Sequence, residues 1–152
     1  MEVPEAVPRS VEFPASQIVE RLEKVSILGH LSQRQLKKLA KWVKIVAFAQ
    51  GETIVKRGTG GLGLFLILDG SAEVRRGSRG LAKLGAGQFF GEMTLFDDQP
   101  RSADVVALET SKLAVLSKWE FWGFAETEPS VLRGVLEEMT RRLRETNQAL
   151  SE

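Results

Sequence analysis

The sequence predicts a mainly β domain, built as a sandwich or barrel, with helices at both ends. Between Trp42 and Ser117, short β-rich runs alternate with glycine-containing turns, a spacing that is typical of sandwiches and barrels. Before and after this region, apolar residues recur every three or four positions, which indicates helices. At 152 residues, the chain has the length of one domain with a proper core.

The first 14 residues predict a flexible tail without a folded element, followed by a single domain over residues 15–152. This tail holds three of the five prolines and has no apolar periodicity. The apolar spacing that follows predicts a first helix, which Gly29 ends. Ser32, with Gln35 three positions later, predicts a second helix that opens on a capping box. Both helices are too short to be stable alone, so they must pack on the β-structure.

Seven strands are expected in the central region, separated by turn signals such as Gln50-Gly51 and Asp69-Gly70. The clearest feature is a hairpin over residues 64–75 that turns at Asp69-Gly70-Ser71. The seven candidate strands are residues 43–48, 53–56, 64–68, 72–75, 81–84, 103–107 and 112–117.

Two further helices are expected after the strands. Residues 118–128 carry four aromatic side chains that are expected to cover the core, and Pro129 suits the first position of the next helix. That helix carries a two-per-heptad seam, narrower than covering a core requires, which predicts either pairing with a second copy or folding back onto the barrel. The seam residues are Leu132, Leu136, Met139, Leu143, Thr146 and Leu150.

Composition excludes several functional classes. The net charge of +1 gives no global case for binding nucleic acid or membranes. The basic cluster of Arg141, Arg142 and Arg144 is expected to be a solvated face, because acidic residues lie four positions before two of its members. The chain has no cysteine and one histidine, His30. Because these residues are common metal and haem ligands, the composition predicts no metal centre and no cofactor. The absence of an apolar run of 18 residues, or of an apolar signal-peptide core, predicts a cytoplasmic location.

An enzymatic function is not expected. The sequence offers no Gly-Lys-Ser/Thr phosphate loop, no Ser-His-Asp set and no paired carboxylates in an acid–base arrangement. A binding module is the favoured class.

The residues from Phe89 to Val105 predict a site for a phosphate joined to a ribose. Gly91 at a helix start lets backbone N–H groups approach an anion closely. Arg101 offers a planar fork to phosphate, and Ser102 adds a hydroxyl. Glu92 repels phosphate, so it must serve another part of the ligand, such as a sugar hydroxyl. On the residues alone, a simple turn at Gly91 and an ion pair from Arg101 to Asp97 or Asp98 are equally open.

The same stretch resembles the phosphate-binding cassette of cyclic nucleotide-binding domains, in particular the sensor domains of the bacterial catabolite activator protein family. The resemblance spans about residues 16–150 and does not include a DNA-binding domain. It implies a double-stranded β-helix, that is, a jelly-roll-like β-roll of eight strands, with N-terminal helices and a long C-terminal helix. The residues that carry it are Phe90-Gly91-Glu92, Leu95, Pro100-Arg101-Ser102-Ala103 and Val105.

The resemblance also implies roles for individual residues. Glu92 takes the ribose 2′-hydroxyl, Arg101 pairs with the cyclic phosphate, and Thr146 contacts the adenine. Asn147 reaches the ligand of the other subunit of a dimer. The ligand-binding set that follows from the resemblance is Phe90, Gly91, Glu92, Met93, Thr94, Arg101, Ser102, Ala103, Thr146 and Asn147.

The sequence thus predicts a cyclic nucleotide receptor module that forms a homodimer through its C-terminal helix and signals through it. Ser102 and Thr146 favour cAMP over cGMP as the ligand. Two departures from the family pattern, Thr94 in the cassette and the glycine loop 58–63, motivate the alternative of an interaction domain that has lost ligand binding. A further alternative is the sensor fragment of a longer transcription factor or channel.

Overall fold

The structure is a computed structural model that describes residues 9–59, 63–97 and 99–151. Within these residues, nine strands and four α-helices form two antiparallel sheets with helices packed outside them, which confirms the predicted fold class. The strands are β1 Arg9–Ser10, β2 Lys44–Phe48, β3 Thr53–Val55, β4 Leu64–Asp69, β5 Ser71–Arg76, β6 Arg79–Gly85, β7 Phe89–Phe90, β8 Asp104–Ala107 and β9 Ser111–Leu116. The helices are α1 Ala15–Glu23, α2 Gln33–Ala40, α3 Lys118–Thr127 and α4 Ser130–Ser151, with short 3₁₀ helices at Ser26–Leu28 and Glu92–Leu95.

Two apolar layers fill the molecule, and β4 contributes to both. The five-stranded sheet has the order β1-β2-β9-β4-β7, and the four-stranded sheet has the order β3-β8-β5-β6. Phe65 and Ile67 of β4 point between the sheets, whereas Leu64, Leu66 and Leu68 point toward the helices. Because successive side chains of a strand alternate between its faces, a strand that is buried on both faces is apolar throughout.

The predicted hairpin over residues 64–75 is wrong. β4 pairs with β7 and β9, whereas β5 pairs with β6 and β8 in the other sheet. Gly70 is therefore a corner at which the chain crosses between sheets. Its φ is +99°, and a Cβ at this position would come 2.2 Å from the hydroxyl of Ser111, so only glycine fits. Strand pairing depends on contacts distant in sequence, which the turn signal does not encode.

The prediction of an unfolded tail fails for the part of it that the structure describes. Arg9 and Ser10 pair with Ala47 and Val46 of β2, and Arg9 forms an ion pair of 2.7 Å with Glu52. Val11 and Phe13 pack against the helix-side core. The side chains of Val11 and Phe13, together with pairing to the edge of β2, hold this segment in place although it has no apolar periodicity. Residues 1–8 lie outside the described part.

The helical predictions are largely confirmed. Ser32 and Gln35 form the predicted capping box of α2, and Ser117 with Glu120 forms an equivalent one on α3. Helix α4 begins at Ser130, one position later than expected. Among the aromatic residues of α3, Phe121 and Phe124 are fully buried as expected, whereas Trp119 is 83% exposed.

Helix α4 has two different halves. Val131 and Val135 are buried, and Leu132 and Met139 pack against the same core cluster. The seam residues Leu136, Leu143 and Leu150, seven positions apart, are 66%, 62% and 81% exposed. In the described part of the chain, no helix is both long and apolar enough to cross a membrane.

Candidate functional site

A sharp glycine turn links β7 to the 3₁₀ helix Glu92–Leu95 and opens the site. Gly91 has a φ of +84°, a left-handed conformation that favours glycine. A Cβ at Gly91 would lie 2.5 Å from Nη1 of Arg101 and 2.5 Å from the carbonyl oxygen of Gly63. Glycine is therefore required at position 91 for two reasons. Its φ is left-handed, and Arg101 and Gly63 approach too closely to leave room for a Cβ. We call residues 90–105 the cassette; residue 98 lies outside the described part.

Arg101 is a buried cation with unused hydrogen-bonding capacity. It is 9% exposed, and its Nη2 donates to the carbonyl of Gly63 at 2.9 Å. Its Nε is buried and has no hydrogen-bond partner among the described residues. Burial lowers the pKa of the guanidinium, and the negative charge of Glu92 partly opposes that shift. Asp97, an alternative partner in the sequence, instead accepts the N–H of Gln99 at 3.1 Å.

The backbone around Arg101 is fixed by the loop that precedes β4. The N–H of Arg101 donates to the carbonyl of Thr59 at 2.9 Å, and the N–H of Gly58 donates to the carbonyl of Arg101 at 2.8 Å. These two bonds tie the Arg101 backbone to Gly58 and Thr59.

Glu92 lies next to this cation and has a partner that the sequence did not reveal. Its carboxylate is 8% exposed and accepts a hydrogen bond from Nη1 of Arg142 on α4. The Arg142 guanidinium also lies over the ring of Phe89, 4.6 Å from its centroid, and 3.3 Å from the carboxylate of Glu138. Arg142, expected to be a solvated surface charge, therefore joins α4 to the cassette.

The side chain of Thr94 stabilises the Gly91 turn. Its hydroxyl donates to the carbonyl of Gly91 at 2.8 Å. The β-branched side chain thus uses its polar atom to hold the glycine turn. Phe90, which precedes that turn, is buried and stacks on Phe65 at 5.0 Å between ring centroids.

The remaining predicted cassette residues lie around the same turn with different exposure. Met93 is 67% exposed, Ser102 is exposed, and Ala103 is half-buried. The structure thus brings Gly91, Glu92 and Arg101 together as the sequence predicts.

Thr146 and Asn147 are exposed and lie near the C-terminal end of α4. Thr146 donates through its hydroxyl to the carbonyl of Arg142, one helical turn earlier. Residues four positions apart share a helix face, so Thr146 lies on the face that carries Arg142 toward Glu92. Arg142 lies four positions before Thr146, a predicted ligand contact. This four-residue spacing is the sequence signal that could have placed Arg142 at the site.

Chemically, this site combines a buried guanidinium, a buried carboxylate and a tight glycine turn. The guanidinium suits an anion, and the carboxylate suits a hydroxyl donor. No cluster of three or more metal-ligating side chains occurs in the part of the chain that the structure describes.

Comparison with known proteins gives the site its context. The family model described as "Cyclic nucleotide-binding domain" matches residues 45–128, more than half of the chain. The cAMP-dependent protein kinase regulatory subunit of Debaryomyces hansenii is 39% identical over 101 residues, which are 66% of this chain and 22% of that protein. The chain therefore spans well under half the length of this curated relative.

Solved structures give the same result. The crystal structure of the Thermus thermophilus catabolite activator protein matches with a TM-score of 0.78 and 29% identity, over 83% of this chain and 62% of that one. The regulatory domain of Toxoplasma gondii PKA, solved with cAMP, matches with a TM-score of 0.70 and 27% identity, over 84% and 50%. The chain belongs to the family of cyclic nucleotide-binding domains and is a regulatory domain of that kind.

Proposed function

We propose that the cassette binds a cyclic nucleotide, with cAMP preferred to cGMP, and that α4 reports the bound ligand. The observation that carries this proposal is Arg101, a buried guanidinium whose Nε has no partner among the described residues. An unsatisfied buried donor costs stability, and a phosphate oxygen satisfies it with a charge-assisted bond. Gly91 leaves room for that anion beside the guanidinium.

Glu92 supplies the second contact in this proposal. Its carboxylate accepts a hydrogen bond from the ribose 2′-hydroxyl. The Met93 N–H group and the Ser102 hydroxyl donate to the phosphate, Phe90 and Ala103 line the cradle, and Thr94 holds the Gly91 turn beside it. Arg142 already contacts Glu92, so a ribose hydroxyl at Glu92 shares or replaces that contact. The ligand and α4 therefore act on one carboxylate, which links binding to the position of the helix.

The preference for cAMP rests on Thr146 and Ser102. Thr146 lies one turn beyond Arg142 on the same helix face, where it contacts the base while Arg142 reaches the sugar side. Asn147, next in sequence, serves the ligand of a second subunit. The solved relative from Toxoplasma gondii, which contains cAMP, supports the same ligand.

We further propose that the domain is a cytosolic homodimer without enzymatic activity, assembled through the exposed seam of α4. Leu136, Leu143 and Leu150 recur every seven residues and are each more than 60% exposed. A regular leucine stripe of this kind is typical of helix pairing.

One observation favours a second candidate, an interaction domain that no longer binds nucleotide. The ion pair between Glu92 and Arg142 already satisfies the carboxylate that the ligand would use. In this alternative, α4 closes the site permanently, and the domain serves only as a scaffold.

A thermal-shift assay with cAMP and cGMP separates the two candidates. A ligand at 100 times its dissociation constant adds about 2.7 kcal/mol to the free energy of unfolding, so the melting temperature of a binding domain rises with nucleotide concentration. The proposal predicts a larger rise with cAMP than with cGMP at equal concentration. A melting temperature that neither nucleotide changes would favour the scaffold.

A further inference from the structure

A buried carboxylate lies at the junction of α3 and α4, outside the nucleotide site. The side chain of Glu128 is 7% exposed, and its backbone, at φ −131° and ψ 71°, is not helical. Its N–H donates to the carbonyl of Phe124 at the end of α3, and its carbonyl accepts the N–H of Val131 at the start of α4. Glu128 therefore belongs to neither helix, and its conformation sets the angle between them.

Three side chains of α2 converge on this carboxylate. Arg34 lies 3.0 Å and Lys38 3.4 Å from its Oε1, and the Gln35 amide donates to its Oε2 at 2.7 Å. Gln35 also donates to the hydroxyl of Ser130, the first residue of α4, at 3.0 Å. Charge-assisted bonds to a buried group are among the strongest polar contacts in a protein. Helix α2 thus holds the end of α3 and the start of α4 together.

The first two turns of α4 have further anchors on the segment between α1 and α2. At Gly134 the two backbones touch so closely that a Cβ would come 1.9 Å from the carbonyl oxygen of Ile27. One turn later, Glu137 lies 2.6 Å from Nε2 of His30. The helix therefore has fixed contacts from Ser130 to Glu137.

The second half of α4 lacks anchors of this kind. From Thr140 to Ser151 every residue is exposed except Arg142, which is half-buried against Glu92 and Phe89. A helix end whose backbone faces water opens at much lower free energy than one held by buried contacts. In the part of the chain that the structure describes, this half is tied to the rest of the domain through the contacts of Arg142 with Glu92 and Phe89.

We propose that Glu128 is a positioning residue that clamps the α3–α4 junction to α2, so that ligand moves α4 beyond Glu138 and not at the junction. The inference rests on the proposed function, since it takes α4 as the reporter of the ligand. The clamp gives the helix a fixed base. Changes at Glu92 are then transmitted through Arg142 to the exposed half alone.

Hydrogen exchange measured by mass spectrometry tests this division with the full chain. In the unsubstituted protein, saturating cAMP should change the exchange of residues 139–151 and leave that of residues 131–138 unchanged. Glu128→Gln keeps the shape of the side chain and removes its charge. We expect exchange of residues 131–138 to become about tenfold faster without ligand, the size of one lost charge-assisted bond, and to become sensitive to cAMP.

Glu126→Gln is the matched control, since it removes the same charge from an exposed position of α3 and should leave the exchange pattern unchanged. The clamp can also be broken from its other side by Arg34→Gln with Lys38→Gln. These side chains are 72% and 41% exposed, so the fold tolerates their replacement, and the same acceleration is expected.

The proposal is overturned if cAMP alters residues 131–138 of the unsubstituted protein as strongly as residues 139–151, or if Glu128→Gln exchanges like Glu126→Gln. Calorimetry on the same samples keeps the two proposals apart. If cAMP does not bind at all, the nucleotide site is refuted, and the exchange of the unliganded variants still decides whether the clamp exists.

Discussion

Arg142, in the exposed half of α4, donates a hydrogen bond to the buried carboxylate of Glu92 in the cassette. The two residues are 50 positions apart in sequence, and the contact is reinforced by the ring of Phe89 beneath the guanidinium. Glu92 thus has a protein partner at the position where the proposed function places a ribose hydroxyl. This contact makes the position of α4 depend on what Glu92 binds.

A double-mutant cycle with Glu92→Gln and Arg142→Gln measures the strength of this link. Each single change leaves the other group without its charged partner, so we expect both to lower the free energy of unfolding. The coupling energy should be about 1.5–3 kcal/mol, typical of a charge-assisted hydrogen bond. Urea unfolding provides the measurement. Arg144→Gln, an exposed neighbour on α4, is the control, and a coupling energy near zero would break the proposed link.

Gly91→Ala should destabilise the cassette more than its backbone angle alone requires. A residue other than glycine in the left-handed region costs about 1–2 kcal/mol, and the added Cβ also meets Arg101 and Gly63 at 2.5 Å. Gly51 has a nearly identical φ of +85° and nothing within 4 Å of an added Cβ. Chemical denaturation of Gly91→Ala and Gly51→Ala therefore isolates the steric part. Equal losses of stability would mean that Arg101 does not approach the turn as described.

The ion cluster at Glu128 predicts a specific pH dependence of stability. Hydrogen bonds from Gln35 and Arg34 lower the pKa of Glu128 from 4.5 to about 2. Because the folded-state pKa is the lower one, the stabilisation is fully present above pH 4.5 and disappears as the pH falls toward 2. The stability difference between the unsubstituted protein and Glu128→Gln should shrink over that range. A difference that stays constant from neutral pH to about pH 2 would contradict the assignment.

The leucine seam predicts a dimer that a single charge disrupts. Leu143, which is 62% exposed in the isolated chain, lies in the middle of the seam, so Leu143→Arg places a charge in the helix pair. Analytical ultracentrifugation should find a dimer for the unsubstituted protein and a monomer for this variant. Gln148→Arg adds the same charge on the opposite face of the helix and should remain dimeric. If the unsubstituted chain sediments as a monomer, the seam is not a dimer interface.

Local patterns in the sequence are enough to predict much of this fold. The capping box at Ser32 and Gln35 satisfies helix-end groups with residues three positions apart, and the glycine-bounded β-runs depend on neighbours in the chain. For the same reason, the cassette residues Gly91, Glu92 and Arg101 could be predicted as one site. They lie in one short stretch, and their chemistry points to one ligand.

The features that sequence reasoning missed depend on contacts between distant segments. Asp69-Gly70 has the composition of a hairpin turn, but the corner it forms is decided by the pairing of β4 with β9 and of β5 with β8. Arg142 has the helix spacing of a surface ion pair and does lie near Glu138, yet it also reaches Glu92. Strand β1 is ordered by a free sheet edge and by Glu52, neither of which is visible in its own residues.

Calorimetric titration of cAMP into the unsubstituted protein and into Arg101→Ala tests the central claim most directly. Arg57→Ala, an exposed arginine in the segment before β4, controls for the loss of a positive charge. Removing a charge-assisted contact to the phosphate should weaken binding by at least about tenfold, while Arg57→Ala should leave it within about twofold, as an exposed charge contributes little. Equal affinity of Arg101→Ala and the unsubstituted protein for cAMP would contradict the account.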